Sequence, residues 1–482
     1  MATQVVQRAN NSSNLYATIK SRGSNSGPAG CGYIYASEVN QCPCWRHKLK
    51  VTPQNSAGYD RTVRFELPNY GFLENVFLET LFSANSGMTA AGDDGTAADT
   101  ALCWGAGAYA FSEVRLVFRG QEVARLSSDY IMARHLQDLS EERLDNFLDM
   151  VGGFPVGGPN TAATGATDRT GRYKRAEGKQ RFYCPLSFWF VETRSRALDL
   201  SILHSPITIE VDVRPFSGIA DANADAGAAD IALEEINLQC FVAELPAPEL
   251  KMFRDVSYKP GGEPLSQLGY DILTSTHTVD ISTVKKHHIK LNDFSGLVQR
   301  LYVYAVATAD RGANHYLRSN DAITTIKLQS VDTDIYEREN MDYMQIVGQD
   351  RSTQGTAVAI SAQAATTISH QSGERLMDHY MRPSKNLEKN FVCFDAQSDA
   401  GKVGAQVAPS TIHTINFKSD WDQRTSATGA VSFGTLHNPT LELTFEAAET
   451  GNMDIIIIAE LNNLVLYNTN SAGATSIRRI TE

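Results

Sequence analysis

The sequence has no long apolar run. Its longest candidate, Ile455-Ile456-Ile457-Ile458-Ala459, is strand-sized, whereas a membrane-crossing helix needs about twenty such residues. Cysteine is scarce: seven in 482 residues do not make a disulfide framework. Cys42-Pro43-Cys44 with His47 and the distant Cys31 fits no common zinc spacing, so reduced thiols are expected. Cys184, Cys240 and Cys393 lie in apolar strand-like runs and are expected in the core. The start, Met1-Ala2-Thr3-Gln4, has no basic region followed by an apolar core, and no secretory signal is expected. Positive charge is also in deficit. A net charge of −12 argues against a whole-surface nucleic-acid binder, and no sequence-specific nucleic-acid partner is expected.

Chemical motifs are equally thin. There is no nucleophile elbow, phosphate loop or tight acid pair, although the many carboxylates leave a distant glycosidase pair open. His287 and His288 are strand neighbours that face opposite ways, so they do not share a metal; with Lys285 and Lys286 they suit an exposed basic edge that discourages sheet pairing. His370, Glu374, Asp378 and His379 lack both a helical pattern and a water-activating partner. Trp45, Trp104 and Trp421 suit packing better than a sugar groove. No catalytic residue, metal or cofactor is expected.

What is present is alternation. In Tyr183–Pro215, Ile207, Ile209, Val211 and Val213 alternate with Thr208, Glu210 and Asp212, which predicts a strand with one apolar face. The apolar run Leu186–Val191 suits a strand buried on both faces, although periodicity alone leaves a buried helical turn open; a charged, Leu-bearing corner lies between it and the alternating strand. Similar strands are expected at Val63–Leu67, Phe72–Phe82, 108–118, 122–126, Ile236–Val242, 289–307, Ile323–Leu328, 411–417, Leu441–Phe445 and Ile455–Leu466. A helix is expected near Tyr130, capped by Ser128 or Asp129. Leu144, Phe147, Leu148 and Val151 form one helical stripe that Gly152-Gly153 ends. Residues 84–100, 152–180 and 217–230 read as loops.

The chain divides into an extended arm (1–50), a first unit (51–245), a Pro-rich linker (246–250) and a second unit with a tail (251–482). The arm holds Arg8, Lys20, Arg22, Arg46, Lys48 and Lys50 against one acid, Glu38, so it is about +5 and the remainder about −17. Val114-Arg115-Leu116, Glu122-Val123 and Asp129-Tyr130 are echoed by Ile326-Lys327-Leu328, Asp334-Ile335 and Asp342-Tyr343, the mark of a diverged duplication. The expected fold is all-β: two consecutive antiparallel jelly-roll sandwiches of roughly eight strands each, with short helices in the loops.

Pro185-Leu186-Ser187-Phe188-Trp189-Phe190, then Ala197-Leu198-Asp199-Leu200, Leu203-His204-Ser205-Pro206 and Ile207–Val211, resemble in order the double jelly-roll major capsid proteins, nearest to those of nucleocytoplasmic large DNA viruses. Asn438–Leu443 and Ala459–Leu466 resemble the last two strands of that family, while the tail runs on about fifteen residues past its usual end. The resemblance implies a homotrimer forming a pseudo-hexagonal capsomer, and neighbouring capsomers tiling an icosahedral shell in a virion assembled inside the host cell. It also implies outer loops at one end and an inward arm. On that reading Arg8, Lys20 and Arg22 are expected to meet an anionic inner layer, either minor capsid proteins or an inner membrane. The rival expectations are a two-jelly-roll glycan hydrolase, with a polar cleft between the halves, and a sugar-binding surface protein.

Overall fold

The structure, a computed structural model, describes residues 45–83, 105–138, 146–147, 150–152, 180–192, 196–219, 231–247, 250–251, 254, 265–308, 323–331, 333–338, 412–418, 429–445, 450–469 and 475–479. The first half contains β1 (Trp45–Val51), β2 (Thr62–Glu66), β3 (Phe72–Phe82), α1 (Ala106–Tyr109), β4 (Phe111–Phe118), β5 (Gln121–Ser127), α2 (Ser128–Asp138), β6 (Gln180–Pro185), β7 (Leu198–Asp199), β8 (Ile207–Val213) and β9 (Leu233–Glu244). The second contains β10 (Leu265–Asp280), β11 (Lys286–Lys290), β12 (Leu297–Ala307), β13 (Ile323–Ser330), β14 (Thr333–Arg338), β15 (His413–Asn416), β16 (Val431–Ser432), β17 (Pro439–Phe445), β18 (Asn452–Thr469) and β19 (Thr475–Arg479).

Each half is a sandwich of two antiparallel sheets. The first pairs β1-β9-β3-β6 over β2-β8-β4-β5; the second pairs β10-β18-β12-β15 over β11-β17-β13-β14. Counted within each half, the strand order is the same, and it is that of a jelly roll. The extras match too: β7 adds to β3 and β16 adds to β12, at the same register position. Only β19, added to β18, has no counterpart among the described residues.

The duplication extends to irregularities. β4 slips against β8 between Phe111 and Glu113, and β13 slips against β17 between Ile323 and Thr325. Leu116/Val117 and Leu328/Gln329 mark matching bulges against β5 and β14, and Leu73/Asn75 and Val298/Arg300 match against β9 and β18. The turns that follow even share a positive φ at Arg119 (52°) and Val331 (44°). Bulges fix where a sheet bends, so both sandwiches bend at the same places. Of the sequence echo, the first two members occupy equivalent strands; Asp342-Tyr343 lies outside the described residues.

Three expectations need correction. Of the two readings open for Leu186–Val191 the strand does not form: a short 3-10 turn, Trp189–Val191, follows an irregular buried path. An apolar run without period does not specify strand over turn. The helix at Tyr130 is capped by Ser127, whose Oγ accepts from the Tyr130 N–H at 3.2 Å, rather than by Ser128 or Asp129. Finally, β1 begins at Trp45, inside the stretch assigned to the arm, and pairs with β9 along its whole length. Arg46, Lys48 and Lys50 are therefore strand residues. Phe147 and Val151 of the helical stripe are buried; Leu144 and Leu148 lie outside the described side chains.

The connections 83–110, 128–179 and 214–232 all leave the same end of the first sandwich. Their feet are tied: Ser83 N–H donates to the Ala232 carbonyl (2.8 Å), and Gly105 N–H to the Gly152 carbonyl (3.1 Å). β1 starts at the opposite end, opposite Glu244. At that end the chain turns into β3 through Gly71, with φ at 72°, where an added Cβ would sit 2.3 Å from Val242 Cγ1. Gly71→Ala is expected to cost about 2–4 kcal/mol from overpacking and left-handed strain, read as a lowered midpoint in chemical unfolding.

Candidate assembly surfaces

The two halves meet over the outer face of the β10-β18-β12-β15 sheet. Along β12, Leu301, Val303 and Ala305 point into the second sandwich, while Tyr302, Tyr304 and Val306 join the core of the first. β18 divides likewise, with Ile455, Ile457 and Ala459 on one side and Ile456 and Ile458 on the other. This explains the unbroken Ile455–Ala459 run: the strand is buried on both faces.

The first half supplies the cover. Tyr130 of α2 meets Tyr302 edge-on, with ring centroids 6.2 Å apart, and its hydroxyl donates to Glu460 Oε2 at 3.1 Å. The Gln299 amide donates to the other Glu460 oxygen at 2.5 Å. Arg134 pairs with Glu192 and donates to the Ser187 carbonyl. The Pro185–Phe190 stretch is the wedge: Trp189, 2% exposed, donates its indole N–H to Gln267 Oε1 of β10 at 3.3 Å, and the Tyr467 hydroxyl donates to the same oxygen at 3.2 Å. Lys418 lies over the Tyr270 ring. Burial pushes the Tyr270 phenol up to about 12, which holds it neutral, and pushes the Lys418 ammonium down. The tail closes the junction from below. Thr475 of β19 bridges Leu203, its carbonyl accepts from His204, and Arg479 pairs with Asp271.

The matching outer face of the first half has different chemistry. Register places Phe77 where the second half has Tyr302, Glu79 where it has Tyr304, and Asn237 and Gln239 where it has Ile456 and Ile458. Glu79 accepts from Arg181, Gln239 and the Tyr183 hydroxyl. Phe77 and Phe241 pack edge-to-face at 5.8 Å, and both are half-buried, as is Tyr183. Lys48 of β1 sits 6.0 Å from the Tyr183 ring.

Arg8, Lys20 and Arg22 lie outside the described residues, as do Cys31, Cys42, Cys44, Cys393, Trp104, Trp421 and the His370–His379 group. Trp45 is exposed, and His47 stacks on Tyr70. β11, which opens with Lys286-His287-His288 directly after Lys285, is an edge strand of its sheet; His287 turns toward Phe445 and His288 toward Glu442. No group of three or more metal-ligating side chains occurs among the described residues. The junction was not foreseen as a network, because Arg300, Gln299 and Glu460 come together only through a bulge and a pairing of remote strands.

Cys184 and Cys240 are buried, and burial pushes the Cys184 thiol up and the Cys240 thiol up to about 12. Neither is expected to react with iodoacetamide at about pH 8 until the chain unfolds; peptide mass mapping before and after denaturant checks this.

No protein-family model matches the sequence, and no curated protein sequence matches it. Solved structures do match. PBCV-1 VP54, fitted into a reconstruction of the virophage Sputnik, aligns with a TM-score of 0.58 at 13% identity, covering 91% of this chain and 98% of that one. The quasi-atomic model of the PBCV-1 virus capsid gives the same values. The Faustovirus major capsid protein aligns with a TM-score of 0.57 at 11% identity, covering 97% of this chain and 98% of its own. The chain has the double jelly-roll fold of these proteins.

Proposed function

We propose that this double jelly-roll chain is a major capsid protein of a double-stranded DNA virus, that three copies close into a six-lobed block, and that such blocks tile an icosahedral shell. The observation that carries the reading is the pair of equivalent sheet faces with opposite chemistry. In the second half that face carries Tyr302, Tyr304, Ile456 and Ile458 beside the buried Arg300 and Glu460, and it is covered by the first half of the same chain. In the first half it combines half-buried aromatics with Arg181, Lys48 and a buried Glu79. Aromatic and Arg-rich surfaces with satisfied polar groups are typical of interfaces between separately folded partners. A face that stays in water until a neighbour arrives needs that polarity, whereas a face covered during folding does not. If the second half of a neighbouring copy covers it, the contact is head-to-tail, and with alternating lobes three copies close the ring.

β1 begins at the end opposite the tied loops. The arm then reaches the inner side, where Arg8, Lys20 and Arg22 meet minor capsid proteins or an anionic membrane surface. The glycan-hydrolase alternative called for a polar cleft between the halves; that space holds Trp189, Tyr130, Tyr302 and Ile456 in one core.

Size-exclusion chromatography with light scattering tests the block. A species near three times 52.8 kDa is expected, and Phe77→Asp with Phe241→Asp should yield a folded monomer. A wild-type chain that stays monomeric at high concentration overturns the reading. Deleting residues 2–25 should leave the block intact and lower its retention on shells or anionic vesicles; unchanged retention removes the role assigned to the arm.

A further inference from the structure

The outward faces of the β2-β8-β4-β5 and β11-β17-β13-β14 sheets tell the opposite story from the faces just compared, although the β5 edge itself meets the second half through Ser127–Thr274 and Glu122–Arg479. In the first half, Arg64 of β2, Glu210 of β8 and Arg115 of β4 stand side by side in register. Arg64 Nε lies 3.0 Å from Glu210 Oε1, and Arg115 reaches Glu210 at 3.8 Å and Asp212 at 2.8 Å. In the second half the same three positions hold His288 of β11, Glu442 of β17 and Lys327 of β13. Glu442 takes Lys286 at 2.7 Å and His288 at 3.5 Å, while Lys327 takes Asp334 at 2.8 Å and Glu337 at 3.2 Å. A basic–acidic–basic row has been kept in both halves at one register.

The contrast matters. On the outer faces of β1-β9-β3-β6 and β10-β18-β12-β15 the two halves have diverged as far as Gln239 against Ile458. The basic partners at the β2 and β11 edges are exposed while Glu210 and Glu442 are largely covered, and an ion pair with so exposed a partner contributes little to folding, so stability alone does not explain why the row is shared. A face keeps its chemistry in both copies of a duplication when both copies meet the same kind of partner.

We infer that these charged sheets are the contacts between neighbouring blocks, and that the second half meets the same face of another copy across a twofold axis. The inference rests on the six-lobed block proposed above, in which the outer faces of β1-β9-β3-β6 and β10-β18-β12-β15 are consumed within the ring and the charged sheets form its perimeter. The occupant follows from charge. The second half's face is dipolar: Lys286, His288 and Lys290 line the β11 edge, and Asp334 and Glu337 line the β14 edge. Their side chains remain open to solvent, with Lys286 56%, His288 55%, Asp334 47% and Glu337 41% exposed. A twofold axis normal to the contact lays each basic edge on the partner's acidic edge, which is the self-complementarity an isologous contact requires.

The test uses the full chain in two reversals, Lys286→Glu with Lys290→Glu, and Asp334→Lys with Glu337→Lys, and in the combination of all four. Block mass is read by light scattering; assembly of blocks into sheets or shells is read by turbidity and electron microscopy. Each reversal should leave block mass unchanged and slow assembly by about tenfold or more, and the four-fold combination, which swaps the edges, should restore it. Wild-type assembly should weaken from about 0.1 M to about 1 M NaCl as the screening length drops from about 10 Å to about 3 Å. Reversed blocks that assemble like wild type, or a combination that stays inactive, overturn the contact. Should a reversal unfold the chain, wild-type assembly indifferent to salt overturns it instead. Loss of the block in wild type strikes the proposed function itself, and the contact falls with it.

Discussion

Trp189→Ala is expected to lower the unfolding free energy by about 3–5 kcal/mol, the usual cost of removing a buried tryptophan. The indole is the largest fully buried side chain of the wedge, and it faces Phe190 on one side and the second half's Gly269 on the other. Gly269 has room for nothing larger: an added Cβ would come within 2.8 Å of Val465 Cγ2. Deleting the indole leaves a hole where the two halves share one core, so the loss falls on their coupling as well as on stability. Wild type is expected to melt in a single transition, since the first half's core includes Tyr302, Ile456 and Ile458. The variant should melt earlier and in two steps by calorimetry. Trp189→Phe keeps most of the packing and gives up one hydrogen bond, at about 1 kcal/mol beyond the lost area; Gln267 still accepts from Tyr467. A Trp189→Ala protein that melts within a degree or two of wild type would show that the wedge does not hold the halves together.

Glu460→Ala should be nearly as damaging. The carboxylate is fully buried and accepts from Tyr130 of the first half and Gln299 of the second. It also faces Arg300 across the β12–β18 ladder. Removing one member of a buried charged network costs about 3–5 kcal/mol, because the remaining polar groups stay desolvated. Glu460→Gln keeps the shape and one acceptor oxygen, and should cost less than half as much. If the two substitutions cost the same in urea titration, the negative charge, rather than packing or acceptor count, carries the whole effect. If neither costs more than about 1 kcal/mol, the junction owes its stability to the apolar face alone.

Much of this architecture could be read directly from the residues, because alternation is a local property. Ile207, Ile209, Val211 and Val213 are buried, as their spacing predicted, and the Val114/Ile326 echo falls on equivalent strands. What escaped prediction was non-local. Leu186–Val191 has no period, and its conformation is set by Val76 and Arg134 rather than by its own sequence. β1 did carry an alternation, with Leu49 and Val51 against Lys48 and Lys50, but the basic residues around it were counted with the arm. The outer face of the β1-β9-β3-β6 sheet needed the register of two sheets before Phe77 and Tyr302 could be compared at all. The cationic residues assigned to the inner layer, Arg8, Lys20 and Arg22, lie outside the described residues, and their role stays with the deletion experiment.

The hydrogen bonds that clamp Ser83 to Ala232 and Gly105 to Gly152 make the first lobe a natural scaffold for display. A foreign peptide spliced between residues 83 and 105 would inherit two anchored ends, and longer inserts would add only a slowly growing closure entropy. Such grafts would alter what the lobe presents while leaving the strand ladders beneath them unchanged.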